Sequence, residues 1–159
     1  MLSLIIAFFI AFLDQIIKIA IINYVKPIKS IVVIPNFLNL TYAENTGAAF
    51  GILKNHRYFF IIMSILLIAV FLYFIIFKKV NDKVFITALT LILGGGIGNF
   101  IDRIFLGYVI DYIEVSFFPP ICNFADYCIS IGAFLLVIYI IFRYQSKGNK
   151  KEKSLEDKD

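Results

Sequence analysis

Six of the eleven acidic residues lie away from the lysine-rich link at 78–83 and the lysine-rich tail: Asp14, Glu44, Asp102, Asp111, Glu114 and Asp126. A carboxyl group at membrane depth is costly and marks a functional position unless something neutralises it. Asp14 precedes Lys18 by one helical turn, a spacing that lets the two pair on one face. Asp102 stands beside Arg103 in "GGGIGNFIDRI" (Gly94 to Ile104), where it either pairs with that cation or caps a helix end. For Asp14 and Asp102 a structural pairing and a functional role are both open. Asp111 and Asp126 have no neighbouring cation and are the stronger candidates for chemistry. Carboxyls so placed can relay protons, hold cations, or act as acid and base in a hydrolysis.

Other chemistries fit poorly. The single histidine, His56, belongs to no His-Glu-x-x-His pattern, so a zinc site lacks ligands and neither metal nor cofactor is expected. His56 reads as a loop residue at the membrane interface. There is no Gly-x-Ser-x-Gly elbow, and Ser64 and Ser130 read as packing residues in apolar helices. Cys122 and Cys128 could form a disulfide, but two separate core thiols fit better.

The elements that must position these groups are membrane helices. Hydrophobic residues make up 61% of the chain and charged ones 16%, which excludes an ordinary soluble domain. A spanning helix needs about 20 apolar residues, and "YFFIIMSILLIAVFLYFIIF" (Tyr58 to Phe77) meets this without a charge. Similar runs predict helices over residues 2–22, 84–102 and 123–142. The first lacks the basic start and small-residue cleavage site of a signal peptide and is kept as a span. The result is one mainly α membrane domain over residues 1–145, with a polar tail at 146–159 that is expected to be disordered.

Lys78, Lys79 and Lys83 follow the second helix, and Arg143, Lys147, Lys150, Lys151 and Lys153 follow the fourth. The positive-inside rule places both clusters, and with them both termini, in the cytoplasm. The tail also carries acids and lies beside a membrane, which favours anionic lipid over nucleic acid as its partner.

On this topology the loops 23–57 and 103–122 lie outside, and the acids gather at that end. In "NFLNLTYAEN", Leu38, Leu40 and Tyr42 alternate with Asn39, Thr41 and Ala43, and in "GYVIDYIEVS" Val109, Asp111, Ile113 and Val115 share one side. Period two predicts strands, so a small sheet is expected against the outer membrane surface. Asp111, aligned with apolar residues, would be desolvated and its pKa raised. The small residues of "NTGAAF" (Asn45 to Phe50) let backbone approach closely, as an ordinary tight turn also would. Gly94, Gly95, Gly96 and Gly98 permit close helix packing.

Taken in order, "LDQIIK", "NTGAAFG", "GNFIDR", "VIDYI" and "NFAD" resemble the motifs of the lipoprotein signal peptidase family, the bacterial type II signal peptidases, over nearly the whole chain. The resemblance implies a membrane aspartyl endopeptidase with four helices and a small extracytoplasmic β-cradle, in the bacterial cytoplasmic membrane. It carries the catalytic pair onto Asp111 and Asp126. Two close carboxyls share a proton, so one form can take a proton from water while the other polarises the carbonyl; which is the base stays open.

The same resemblance makes Asn45, Gly47, Ala48, Asn99, Asp102, Arg103 and Asn123 substrate-binding or supporting residues. Arg103 would hold an acid or a lipid phosphate, and Asp14 and Lys18 would support the site. The implied substrate is a prolipoprotein whose cysteine carries a diacylglyceryl group, cut just before that cysteine. Membrane phospholipid is the other partner, and a monomer is expected. A small transporter or a non-enzymatic assembly factor are readings from other classes. One-sided acids and the lack of an inverted repeat weigh against the first, and only a peptidase would shorten a lipid-modified precursor.

Overall fold

Long apolar runs become helices because lipid offers backbone N–H and C=O groups no partner. The computed structural model describes residues 2–47, 53–77 and 82–156, with side chains as far as Arg143. Four helices, α1 (Leu2–Ala20), α2 (Arg57–Ile76), α3 (Lys83–Phe105) and α4 (Phe124–Glu156), each contain a stretch long and apolar enough to cross a membrane. α1 continues as a π turn (Ile21–Val25) and a short 3₁₀ turn (Lys26–Ile28). The α4 backbone runs on to Glu156, past the expected end at 142 and through most of the tail expected to be disordered. Gln145, Lys147, Lys150, Lys151, Glu152 and Lys153 are strong helix formers, and no proline interrupts them.

The helices pack through small and polar residues while large apolar ones face outward. α1 buries Ala7, Ile10, Ala11, Asp14 and Lys18, a stripe at three- and four-residue spacing, and exposes Phe8, Phe9 and Phe12. α3 takes the central place because its glycines admit its neighbours. A Cβ on Gly94 would lie 2.7 Å from Ile10 Cβ, and one on Gly95 would lie 2.5 Å from the Ala125 carbonyl oxygen of α4. On Gly98 it would lie 2.5 Å from Asp14 Oδ2. Gly96 departs from the expected role, since no atom of the described residues lies within 4 Å of its Cβ position and it faces a cavity instead. α2 packs along α3 with no residue fully buried and bounds that cavity opposite α4.

Four antiparallel strands cover one end of the bundle in the order β1 (Ser30–Ile34), β2 (Leu38–Asn45), β3 (Val109–Val115) and β4 (Phe118–Cys122). The two segments with alternating pattern form the central strands. The edge strands carry no such signal: β1 is a nearly continuous apolar run exposed along its length, and β4 contains Pro119 and Pro120, which only an edge tolerates. Alternation splits β3 between two tasks. Ile110 and Tyr112 pack on Ile21 and Val25 at the end of α1, which pins the strand to the bundle. Val109 and Asp111 face the other way, where Ala43 pairs with Asp111 and Asn45 with Val109, making Asn45 a diagonal neighbour of Asp111 on one face.

Candidate active site

Asp111 arrives on a strand and Asp126 on the first turn of a helix, and Asn123 joins them. Asn123 Oδ1 accepts from the Asp126 backbone N–H at 2.9 Å, while Asp126 Oδ2 accepts from the Asn123 backbone N–H at 3.1 Å. This is a reciprocal helix cap, and it locks the Asp126 carboxyl at the start of α4. The Asn123 side chain also donates to Asp111 Oδ1 at 2.6 Å. Asn45 Nδ2 donates to Asp111 Oδ2 at 2.9 Å, and Asn99 Nδ2 to Asp126 Oδ1 at 2.8 Å. Each of the four carboxyl oxygens therefore has one amide donor. Burial, and next the neighbouring Asp126, push the Asp111 carboxyl up to about 7; the Asn45 and Asn123 donors offset only part of this.

A second cluster lies behind the pair. Lys18 is 1% exposed, and its ammonium reaches Asp14 Oδ2 at 2.8 Å, Asp102 Oδ2 at 2.8 Å and Asn99 Oδ1 at 2.9 Å. Three protons thus meet three acceptors. Asp102 also accepts from the Ile110 backbone N–H at 3.0 Å, one residue from Asp111, and from Gln15 Nε2 at 3.0 Å. Asp14 Oδ1 accepts from the Ala125 N–H at 3.2 Å, one residue from Asp126. The ion cluster thereby ties down the backbone beside both carboxyls.

Two expectations need correction. Asp102 pairs with Lys18 rather than with Arg103, because sequence neighbours on a helix point about 100° apart. Nor does Arg103 hold an acid: among the described residues it makes no ion pair. It donates to the Gly47 carbonyl at 3.2 Å and the Asn99 carbonyl at 3.4 Å and lies over the Phe60 ring at 4.9 Å. Gly47 in turn donates its N–H to Asn45 Oδ1 at 2.9 Å, which orients that amide. Ala48 lies outside the described residues, as do Lys78 and Lys79.

A cavity of about 860 Å³ opens beside the pair, with Asp111, Asp126, Asn45 and Asn99 in its wall. Its remaining lining is largely apolar, from Phe60, Leu67 and Phe71 of α2 and Ile92 of α3. Ser64 and Ser130 line it too, so they are not the plain packing residues their apolar surroundings suggested. Cys122 also lines it; both cysteines are free, and burial followed by the two aspartates pushes its thiol up to about 11. His56 is exposed at the start of α2, its Nδ1 2.8 Å from the Lys54 carbonyl.

Three supporting residues had not been anticipated. Gln15 could have been found, as an amide inside an apolar helix needs a partner. Tyr112, whose hydroxyl accepts from the Phe124 N–H at 3.1 Å, had no such signal, since its ring fits a strand equally well. Nor had Arg57, which reaches the Arg103 and Ile104 carbonyls at 2.7 and 2.6 Å and joins α2 to the end of α3.

Fold and site together define a multi-pass membrane protein built around a carboxyl pair. The sequence profile of Signal peptidase (SPase) II matches residues 6–142. A lipoprotein signal peptidase of Caldanaerobacter subterraneus subsp. tengcongensis is 44% identical over 141 residues, 89% of this chain and 97% of that protein. One from Staphylococcus aureus is 39% identical over 158 residues, 97% of this chain and 94% of that protein. A bacterial membrane enzyme structure, obtained by the in meso method at 2.3 Å resolution, superposes with a TM-score of 0.84 at 37% identity, covering 91% of this chain and 90% of that one. A second, at 1.9 Å, gives 0.78 at 38% identity, covering 87% and 91%. The chain belongs to the signal peptidase II family, membrane proteases that remove the signal peptides of prolipoproteins.

Proposed function

We propose that Asp111 and Asp126 are the catalytic pair of an aspartic centre and that no metal takes part. The observation that carries this is the meeting of two carboxyls in the wall of one cavity, where among the described residues each oxygen is held by a single amide donor and neither carboxyl is paired directly with a cation. Such a pair holds one proton between two groups. The ionised carboxyl takes a proton from water as the water attacks the peptide carbonyl, and the protonated one hydrogen-bonds the developing oxyanion. Collapse then breaks the C–N bond as a proton passes to the leaving nitrogen, giving a carboxylate and a free amine.

The substrate is a prolipoprotein carrying diacylglyceryl on its cysteine, cut just before that residue. Apolar walls beside the carboxyls suit acyl chains, where each buried methylene contributes roughly 0.8 kcal/mol. Arg103, holding the Gly47 carbonyl, keeps the "NTG" turn against the cavity for an extended substrate segment. The sheet end faces the outside of the bacterial cytoplasmic membrane and both termini face the cytoplasm, with phospholipid around the Phe-rich helix faces.

Cleavage of lipid-modified precursor is expected to be far faster than cleavage of the same precursor with a free thiol in the same membranes. Equal rates would remove the lipid from recognition. A reporter fused after Asp159 should be cytoplasmic and one inserted between Lys29 and Ser30 external; the reverse would put the carboxyls on the wrong side.

A further inference from the structure

Three asparagine amides aim N–H groups at the carboxyl pair, and each is oriented by a donor on its own carbonyl oxygen. For Asn45 and Asn123 that donor is a backbone N–H, of Gly47 and of Asp126. Asn99 instead receives the Lys18 ammonium at 2.9 Å, with Asn123 Nδ2 at 3.1 Å beside it. A positive charge on the carbonyl of a buried amide polarises it and strengthens the donor at its other end. That donor goes to Asp126 Oδ1 at 2.8 Å, and among the described residues the amides on Asp111 have no ammonium behind them. Asp126 also begins α4, where a helix N-terminus favours negative charge.

We propose that Lys18, acting through Asn99, is a positioning residue that places the shared proton on Asp111 and leaves Asp126 as the base. This deepens the aspartate-pair reading and rests on it. Water then loses its proton to Asp126, and the proton on Asp111 serves the substrate carbonyl and afterwards the leaving nitrogen.

The other groups around Asp126 leave this asymmetry in place. Arg103 of α3 interacts with both carboxyls, with Asp126 ahead of Asp111, and so works in the same direction, and Asp14 and Asp102 are engaged by Lys18 itself. Cys122 of β4 and Tyr112 of β3 stay neutral, both raised chiefly by burial, and Tyr127 of α4 is an exposed phenol.

The test is the pH profile of kcat/KM on lipid-modified precursor for Lys18→Met and for Lys18→Met with Asp14→Asn. The double variant removes one positive and one negative charge, so the cluster keeps its net charge, and the amide that replaces the Asp14 carboxyl retains an oxygen for the Ala125 N–H. The acid limb is expected to move up by roughly one pH unit, a tenfold weaker hold on the ionised base, with a smaller shift of the alkaline limb. A profile lowered uniformly with both limbs in place would make Lys18 merely structural and overturn the proposal, as would failure of both variants to fold. Asp111→Asn and Asp126→Asn run alongside separate the two readings. Activity in either one sinks the pair, whereas two inactive variants with an unmoved acid limb sink only the role of Lys18.

Discussion

Four aspartates meet at the sheet end of the bundle as two pairs that differ in kind. Asp14 and Asp102, 0% and 2% exposed, share one ammonium and spend their remaining capacity on backbone N–H groups and Gln15. Among the described residues, Asp111 and Asp126 share no cation and take only amide donors, and they line a cavity. A buried ion pair seldom adds net stability over apolar packing, but breaking one is expensive, so the first pair holds geometry firmly. The second pair, lacking a counter-ion, retains a proton to exchange and a space in which to exchange it. The same residue type is thus scaffold in one place and reagent a few ångströms away, and the counter-ion is the difference.

The comparison can be broken most sharply at the reagent pair. Asp111→Asn or Asp126→Asn is expected to lower kcat by roughly 10²- to 10⁴-fold while thermal unfolding in detergent is unchanged. Retained activity would return that residue to the scaffold class. Asp102→Ala removes one acceptor each from Lys18, Gln15 and the Ile110 N–H and should cost about 3–5 kcal/mol of stability in denaturant titration. A variant as stable as the parent but inactive would erase the distinction between the pairs.

Acidity offers a gentler probe. With Asp111 raised to about 7, cleavage should fall about tenfold per pH unit above that value as the pair loses its shared proton. The sign for stability follows from the same shift. The folded state binds more protons than the unfolded one between 3.8 and about 7, so this contribution is complete at low pH and is lost as pH rises through that window. Smallest are the glycines. Gly98→Ala drives a Cβ to 2.5 Å from Asp14 Oδ2 and should cost about 1–3 kcal/mol. Gly96→Ala, open to the cavity, should stay within about 0.5 kcal/mol of the parent by the same thermal assay.

Run length and period were enough to place four spans and the strands β2 and β3, because lipid and a half-buried sheet each impose a repeat that a linear reading can detect. The ordered motifs marked Asp111, Asp126 and the asparagines around them as candidates. Partnership was not legible in the same way. Whether Asp102 turns to Lys18 or Arg103 depends on which side of α3 faces α1, and Gly94, Gly98 and the alanine stripe of α1 decide that by close packing. Strands β1 and β4 are held by pairing with β2 and β3 rather than by any repeat of their own. Ser64 and Ser130 look like filler until two helices stand apart and make them a wall. Residue type and spacing determined that this chain spans a membrane with acids gathered near one end. Only the packed helices decided which acids are neutralised and which remain free to react, because charge pairing depends on distances of a few ångströms between segments more than 80 residues apart.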